Sequence, residues 1–346
     1  MRPTVNDIAQ EAGVSLATVD RVLNARPGVR AQTVEKVNAA IARLGYVRDV
    51  AAANLARRRS YVMVFVLPEA GSQFMAALRA AVAEAAAMAT LDRTRVRVLG
   101  FPPEDPHALA ALLRGLEGEA DGVAVMAPET PPLRDAIRRL KAAGAAVVAL
   151  VSDLPATERD HFVGVDNVAA GRTAAVLMGR FLGREGGAVM VLGSSMLLRE
   201  SIERRLGFDA ALAAGFPAVR ALPSLEGHED PAVIARIVAT QMQAHDDVAG
   251  VYALGAGLRA LLAALRDAPP RPCGRPRVVI AHELTAQSRA GLIAGTVDAV
   301  ITQNPGHIAR SALRVLRART DGAAIDPAQE RIRIEIVIRE NLPPDG

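Results

Sequence analysis

The first two dozen residues constrain this chain more than any other stretch. Thr4-Val5-Asn6-Asp7-Ile8-Ala9-Gln10-Glu11-Ala12-Gly13-Val14-Ser15-Leu16-Ala17-Thr18-Val19-Asp20-Arg21-Val22-Leu23-Asn24 reads as two short helices joined by a tight turn. Thr4 is placed to cap the first helix, and Ile8, Ala9 and Ala12 give it one apolar face. Gly13 supplies the backbone freedom of the turn. Ser15 is placed to cap the second helix, whose apolar face is Val14, Val19, Val22 and Leu23. Two helices crossing through a glycine-containing turn form a helix-turn-helix, in which the second helix enters the major groove of DNA. Double-stranded DNA is therefore the first partner the sequence implies.

The charge distribution agrees. The 346 residues carry a net charge of +4, but residues 1–60 hold ten Arg or Lys against five Asp or Glu. The rest of the chain is close to neutral, so the basic excess sits where phosphate neutralisation requires it. The length predicts two or three domains with ample core. Apolar residues make up 51%, yet no uncharged run approaches the roughly 20 residues of a membrane span. The N-terminus shows no charged-then-apolar signal segment. The expectation is a cytoplasmic protein with no membrane partner. A single cysteine, Cys273, excludes an internal disulfide and a cysteine-based metal site.

Arg26–Arg30 reads as a loop. Gln32–Leu44 reads as a third helix, with Val34, Val37, Ala40, Ile41 and Leu44 at helical spacing and Gly45 ending it. The three helices form a core too small to be very stable without a partner.

These residues resemble the LacI family of bacterial transcription regulators. The resemblance rests on Asp7-Ile8-Ala9, Ala12-Gly13-Val14-Ser15, Thr18-Val19 and Arg21-Val22-Leu23-Asn24. It continues through Arg30-Ala31-Gln32-Thr33, Val37, Leu44-Gly45-Tyr46, Ala52 and Leu55-Ala56. It implies a headpiece over residues 1–48 and a hinge helix and linker over 49–60. It also implies a two-lobed effector-binding and dimerisation domain over 61–346. The hinge of that family is disordered when free and folds on the operator as a dimer, with paired leucines wedged into the minor groove. Leu55 holds that leucine position and Ala52 a neighbouring contact position. Unstacking costs a few kcal/mol and the bend gains contact area. A plain linker helix is the alternative. By the same resemblance Thr4, Ser15, Leu16, Ala17, Thr18, Arg21 and Asn24 are DNA-contact candidates. Leu16 and Ala17 would read by methyl and shape contacts and Arg21 by a polar one, unless Leu16 merely packs.

Departures from the family pattern concern the operator more than the docking. Asp20 stands where a serine usually contacts phosphate, and repels it unless paired with Arg21 or capping locally. Asn6 replaces a frequent aromatic, and Arg48-Asp49 replaces Pro-Asn at the hinge start. Arg57-Arg58-Arg59 reads as a phosphate-seeking cluster or as a solvated linker.

From Tyr61 the pattern changes. Apolar, β-rich runs alternate with Ala/Leu-rich amphipathic stretches. The runs are Tyr61–Leu67, Arg95–Leu99, Gly122–Met126, Ala146–Val151, Phe162–Val165, Ala188–Leu192, Gly250–Leu254, Val278–Ala281 and Ala299–Thr302. Ile332–Ile338 alternates apolar and charged residues like an exposed edge strand. The expected fold is α/β: a small all-α headpiece, then a two-lobed body of two parallel sheets flanked by helices.

The body resembles the periplasmic sugar-binding fold, and its ribose-binding branch in particular. The residues that carry this are Val163–Gly171, Arg204-Arg205-Leu206-Gly207-Phe208 and Thr302-Gln303-Asn304-Pro305. Ligands of open α/β sheets bind beyond the carboxyl ends of the strands, and two facing lobes close over them by a hinge motion. The resemblance makes Arg204 a donor to ligand hydroxyls or a carboxylate, Glu283 an acceptor and Gln303 a further hydrogen-bonding group. Asp153 falls near another acidic position, and Ser72 and Phe74 follow the first strand, where an aromatic can stack on a sugar ring. Leu254-Gly255-Ala256-Gly257 replaces the usual Asn-Asp, so the ligand need not be a simple pentose.

No catalytic set emerges. The six histidines lack metal spacing, Gly193-Ser194-Ser195 is not a nucleophile elbow, and Gly183–Gly187 lacks the lysine of a phosphate-binding loop. The expectation is an allosteric regulator that binds operator DNA, most simply a repressor. It needs no cofactor or metal, works as a homodimer or tetramer, and responds to a sugar, polyol or related metabolite. Whether that molecule releases or enforces DNA binding is not written in the sequence. A solute-binding protein without a DNA role, or an enzyme on the α/β body, are the alternatives.

Overall fold

The computed structural model describes residues 3–23, 26–46, 60–69, 72–103, 105–155, 157–255 and 257–344. Asn24, Ala52, Leu55, Arg48-Asp49 and Arg57–Arg59 lie outside them. The chain divides into two compact units, Met1–Arg59 and Ser60–Gly346.

In the first unit, α1 (Val5–Ala12), α2 (Leu16–Leu23) and α3 (Ala31–Leu44) surround a small core. Its buried members are Ile8, Ala9, Val19, Val37 and Ala40. Thr4 and Asp7 form a reciprocal capping box at the start of α1. Gly13 ends that helix at φ 64°, a left-handed conformation that a side chain would strain.

In the second unit, β1 (Tyr61–Pro68), β2 (Thr94–Phe101), β3 (Gly122–Val125), β4 (Ala146–Leu150) and β5 (His161–Val163) form a parallel sheet of order β2-β1-β3-β4-β5. Its helices are α4 (Gln73–Ala89), α5 (Pro106–Arg114) and α6 (Pro131–Ala142). The period of two is plain in β1. Tyr61, Met63, Phe65 and Leu67 enter the core on one face, and Val64 and Val66 enter the core on the other. With its terminal turn, α4 is long and apolar enough by composition to cross a membrane. It carries Arg79 and Glu84, however, and lays Met75, Leu78, Val82 and Ala85 against the first sheet.

The second lobe holds α7 (Asn167–Leu182), β6 (Gly187–Gly193), α8 (Arg199–Gly215), β7 (Val219–Glu226), α9 (Pro231–Ala244), β8 (Val248–Ala253), α10 (Leu258–Asp267), β9 (Val278–His282), α11 (Ala286–Ala294) and β10 (Ala299–Thr302). After α12 (Pro305–Asp321), β11 (Glu335–Val337) completes a six-stranded sheet of order β11-β10-β9-β8-β6-β7, in which only β11 runs antiparallel. The lobes are not contiguous in sequence. α12 follows a strand of the second sheet yet packs Ile308, Ala309, Ala312, Val315 and Leu316 into the first lobe. The chain thus crosses between lobes near residues 163–167, 302–305 and 332–335.

One strand was not legible in advance. β7 is an edge strand containing Pro223, and its pairing with β6 shifts register around Leu222-Pro223. A proline is tolerated at an edge or a bulge because it removes a ladder donor. Its interruption also hides the strand's alternation.

Candidate functional site

The site is built by two helices that touch backbone to backbone. A Cβ on Gly171 of α7 would lie 1.9 Å from the carbonyl oxygen of Arg204, and one on Gly207 of α8 would lie 2.0 Å from that of Val168. Both glycines are required for the approach, which seats Arg204 over the N-terminus of α7. Phe208, on the same face of α8, stacks on Tyr252 with ring centroids 4.4 Å apart.

Arg204, 4% exposed, then reaches into the end of the second sheet. Its Nε donates to Asn167 Oδ1 at 2.9 Å, Nη1 to the Leu254 carbonyl at 2.6 Å and Nη2 to Glu283 Oε1 at 3.3 Å. Gln303 Nε2 donates to the same Glu283 oxygen at 3.0 Å, and Thr302 Oγ1 to Glu283 Oε2 at 3.4 Å. Three residues expected from sequence, Arg204, Glu283 and Gln303, therefore meet in one buried cluster. Burial pushes the Glu283 carboxyl above its ordinary range, against the pull of Arg204, Gln303 and Thr302.

The backbone is strained where it serves this cluster. Glu283 has φ 68° and Val151 φ 61°, unusual for side-chain-bearing residues and more so for a β-branched one. Both follow directly on the carboxyl ends of strands or lie next to them. Ser288 Oγ donates to the Glu283 carbonyl at 2.9 Å, and Asn167 Nδ2 to the Val151 carbonyl at 3.3 Å. Such strain persists only where surrounding contacts over-determine it, and it clusters at binding sites. Below the cluster, Tyr252 Oη and His282 Nε2 are 2.8 Å apart. Burial, helped by Arg204, holds the His282 imidazole well below its usual range and thus neutral, and burial pushes the Tyr252 phenol up.

The first-lobe candidates behave differently. Ser72 Oγ caps α4 by accepting from Met75 N at 3.2 Å. Phe74 packs partly buried against the first-lobe core. Asp153 is gripped by Arg159 through two hydrogen bonds and also accepts from Leu154 N at 2.7 Å. Sequence reasoning missed Arg159, Asn167, Thr302 and Tyr252 as site residues. Asn167 lay inside a quoted motif, but nothing in its spacing marked it as the partner of Arg204.

In the headpiece, Ser15 Oγ accepts from Thr18 N at 3.2 Å. Leu16, Ala17 and Arg21 of α2 are exposed, whereas Val19 is buried. Leu16 leaves half its surface exposed, so it is not a core residue of this unit. Asp20 lies 3.5 Å from Arg26 of the following loop. Among the described residues no group of three or more His, Cys, Asp or Glu is placed to hold a metal ion.

The class follows from this arrangement: a two-lobed α/β body with a polar cluster at the carboxyl ends of its strands, preceded by a helix-turn-helix. Residues 63–324 match the periplasmic binding protein domain model and residues 4–49 the model of bacterial regulatory proteins, lacI family. The chain belongs to the periplasmic binding protein domain family and bears a lacI-family headpiece. Catabolite control protein A of Priestia megaterium is 28% identical over 166 residues, 48% of each chain. The maltose regulon regulatory protein MalI of Vibrio furnissii is 37% identical over 81 residues, 23% of this chain and 59% of that one. The chain thus spans about half the length of the curated relatives it matches. In fold, the body is similar to a solute binding protein of an ABC transporter from Burkholderia graminis in complex with D-arabinose. That match has a TM-score of 0.71 at 21% identity and covers 82% of this chain and 96% of that one. A putative LacI transcriptional regulator from Bacteroides fragilis gives 0.69 at 17% identity, over 82% and 98%.

Proposed function

We propose that this protein is a sequence-specific, DNA-binding transcription regulator, acting in the cytoplasm and most simply as a repressor. A small sugar, polyol or related metabolite in the interlobe cleft controls it. The observation that carries the reading is the joining of a lacI-family helix-turn-helix to a body with a buried polar cluster at its strand ends. Leu16, Ala17 and Arg21 read the operator, Thr4, Ser15, Thr18 and Asn24 position the headpiece on it, and Leu55 and Ala52 belong to the hinge. Arg204, Glu283 and Gln303 form the second-lobe wall of the ligand site, faced by Ser72, Phe74 and Asp153. The protein works by binding rather than catalysis. The ligand shifts DNA affinity only as far as it prefers one state of the body.

The working unit is a homodimer. Met88 and Leu91, at the end of α4 and in the turn after it, are 69% and 81% exposed, and Val98 on the neighbouring edge strand β2 is 39% exposed. Large apolar side chains left open on adjacent elements favour a protein partner, and a two-fold pair of headpieces suits a pseudo-palindromic site.

The test is a gel shift on the DNA upstream of the chain's own gene. A salt-sensitive complex that prefers this DNA to a scrambled duplex is expected. Equal affinity for both overturns the regulator reading.

A further inference from the structure

We propose that the second-lobe wall selects a ligand bearing a protonated amine, and that Glu200 receives that amine. The inference rests on the cleft being the small-molecule site and names the chemistry of what enters it.

The argument starts from the charges of α8. This helix contains three arginines, Arg199, Arg204 and Arg205, and three acids, Glu200, Glu203 and Asp209. Arg199 Nε is 2.7 Å from Glu203, and its Nη1 is 3.6 Å from Glu129 of the first lobe. Arg205 Nε is 2.7 Å from Asp209. Arg204 leaves the helix for Glu283. Every arginine of α8 is thus committed to another carboxylate, and Glu200 is the acid left over. It is not a surface residue: it is 6% exposed, and its Oε2 is buried with no hydrogen-bond partner. One helical turn before Arg204, it lies on the same buried face as Arg204.

The rest of the wall has the same polarity. Arg204 donates once from each of its three nitrogens within the protein, and it pairs with Glu283. Gln303, 1% exposed, spends its Nε2 on Glu283, and its Oε1 is buried without a partner. Glu200 and Gln303 thus each add an unpartnered, buried acceptor oxygen to this wall. A hydroxyl satisfies an acceptor, but an uncompensated buried carboxylate calls for a charge as well as a proton. An ammonium group supplies both, which makes a hydroxylated amine such as an amino sugar a better fit than its neutral parent.

The test uses the full chain and calorimetric titration at about pH 6.5, below the range of a typical α-amino group. The probes are D-glucosamine, D-galactosamine and D-mannosamine, each compared with its parent hexose and its N-acetyl derivative. At least one amino sugar is expected to bind tenfold or more tightly than both of its neutral counterparts. Glu200→Gln, nearly isosteric, is expected to abolish that preference, leave the circular dichroism unchanged and raise the melting temperature of the free protein. Parent sugars binding as well as the amines overturn this inference and leave the sugar reading of the cleft standing. So does a preference that survives in Glu200→Gln. Binding by none of the nine probes overturns this inference and leaves the cleft to a ligand of another class, such as a polyol or pentose.

Discussion

The two lobes have the same architecture, yet they treat their expected site residues in opposite ways. In the second lobe, Arg204, Glu283 and Gln303 converge on one another from α8, the end of β9 and the end of β10. In the first, Ser72 caps a helix, Phe74 packs on the core and Asp153 is held by Arg159. The difference is one of burial. The second-lobe residues lie beneath the surface, where a polar group must find a partner or cost free energy. The first-lobe residues are only partly buried and settle into local structure. The second lobe thus carries a preorganised polar cluster, whereas the first-lobe groups, under the proposed function, would have to be recruited by a ligand.

This contrast predicts a graded series of effects. The largest is expected for Arg204→Ala, which strands the Glu283 carboxyl in a dry site. Removing one partner of a buried ion pair costs about 3–5 kcal/mol, read by denaturant unfolding of the body. A double substitution, Arg204→Met with Glu283→Leu, should recover most of it. If Arg204→Ala costs no more than a surface change, the cluster is wetter than the geometry implies.

Next comes Gly207→Ala. Its Cβ would sit 2.0 Å from a backbone oxygen of α7, so the two helices must separate. Overpacking of this kind costs about 1–3 kcal/mol, and here it also displaces Arg204. The variant should lose ligand-induced thermal stabilisation along with stability, whereas Gly215→Ala, at a position open to space, should lose neither.

The buried imidazole adds a pH dependence. His282 stays neutral in the fold, with its pKa well below the ordinary 6.5. The unfolded chain takes up that proton as pH falls through 6.5 and the folded one does not. His282 therefore lowers stability progressively as pH falls below about 6.5, and its titration leaves stability unchanged above that. His282→Gln should flatten that part of the stability profile. An unchanged slope would place the titration elsewhere.

Smaller still is Asp153→Asn in the first lobe, at about 1 kcal/mol, because its ion pair is only partly shielded from solvent. If this change matches Arg204→Ala, the contrast between the lobes fails. In the headpiece, Leu16→Ala should alter stability by less than about 0.5 kcal/mol, since Leu16 is half exposed. It should nevertheless weaken specific DNA binding in a fluorescence anisotropy titration.

Much of this was readable in the sequence for a physical reason. Local patterns such as the Thr4 cap, the Gly13 turn and the alternation of β1 report on neighbours in the chain, and they appear where they were expected. The second-lobe cluster was legible because Arg204 and Gln303 sit in extended motifs. What stayed hidden depends on long-range pairing. Nothing near Glu283 announces the Arg204 side chain 79 residues earlier. Nothing near Asp153 announces that the loop will return Arg159 to it. The return of α12 to the first lobe is equally silent, because its apolar face would suit either sheet. Glu200 stood at helical spacing from Arg204, but only the pairing of its neighbours shows that it was left without a cation.

The most direct test couples the two units of the chain. The affinity of the full-length protein for its upstream DNA should be measured with and without the sugar or amino sugar that most stabilises it. A site-specific, salt-sensitive complex is predicted, with an affinity that changes by about fivefold or more when the ligand is added. The change should be lost in Arg204→Ala. A complex whose affinity is the same with and without bound ligand, or no greater than for a scrambled duplex, would contradict the proposed link between the second-lobe wall and the DNA.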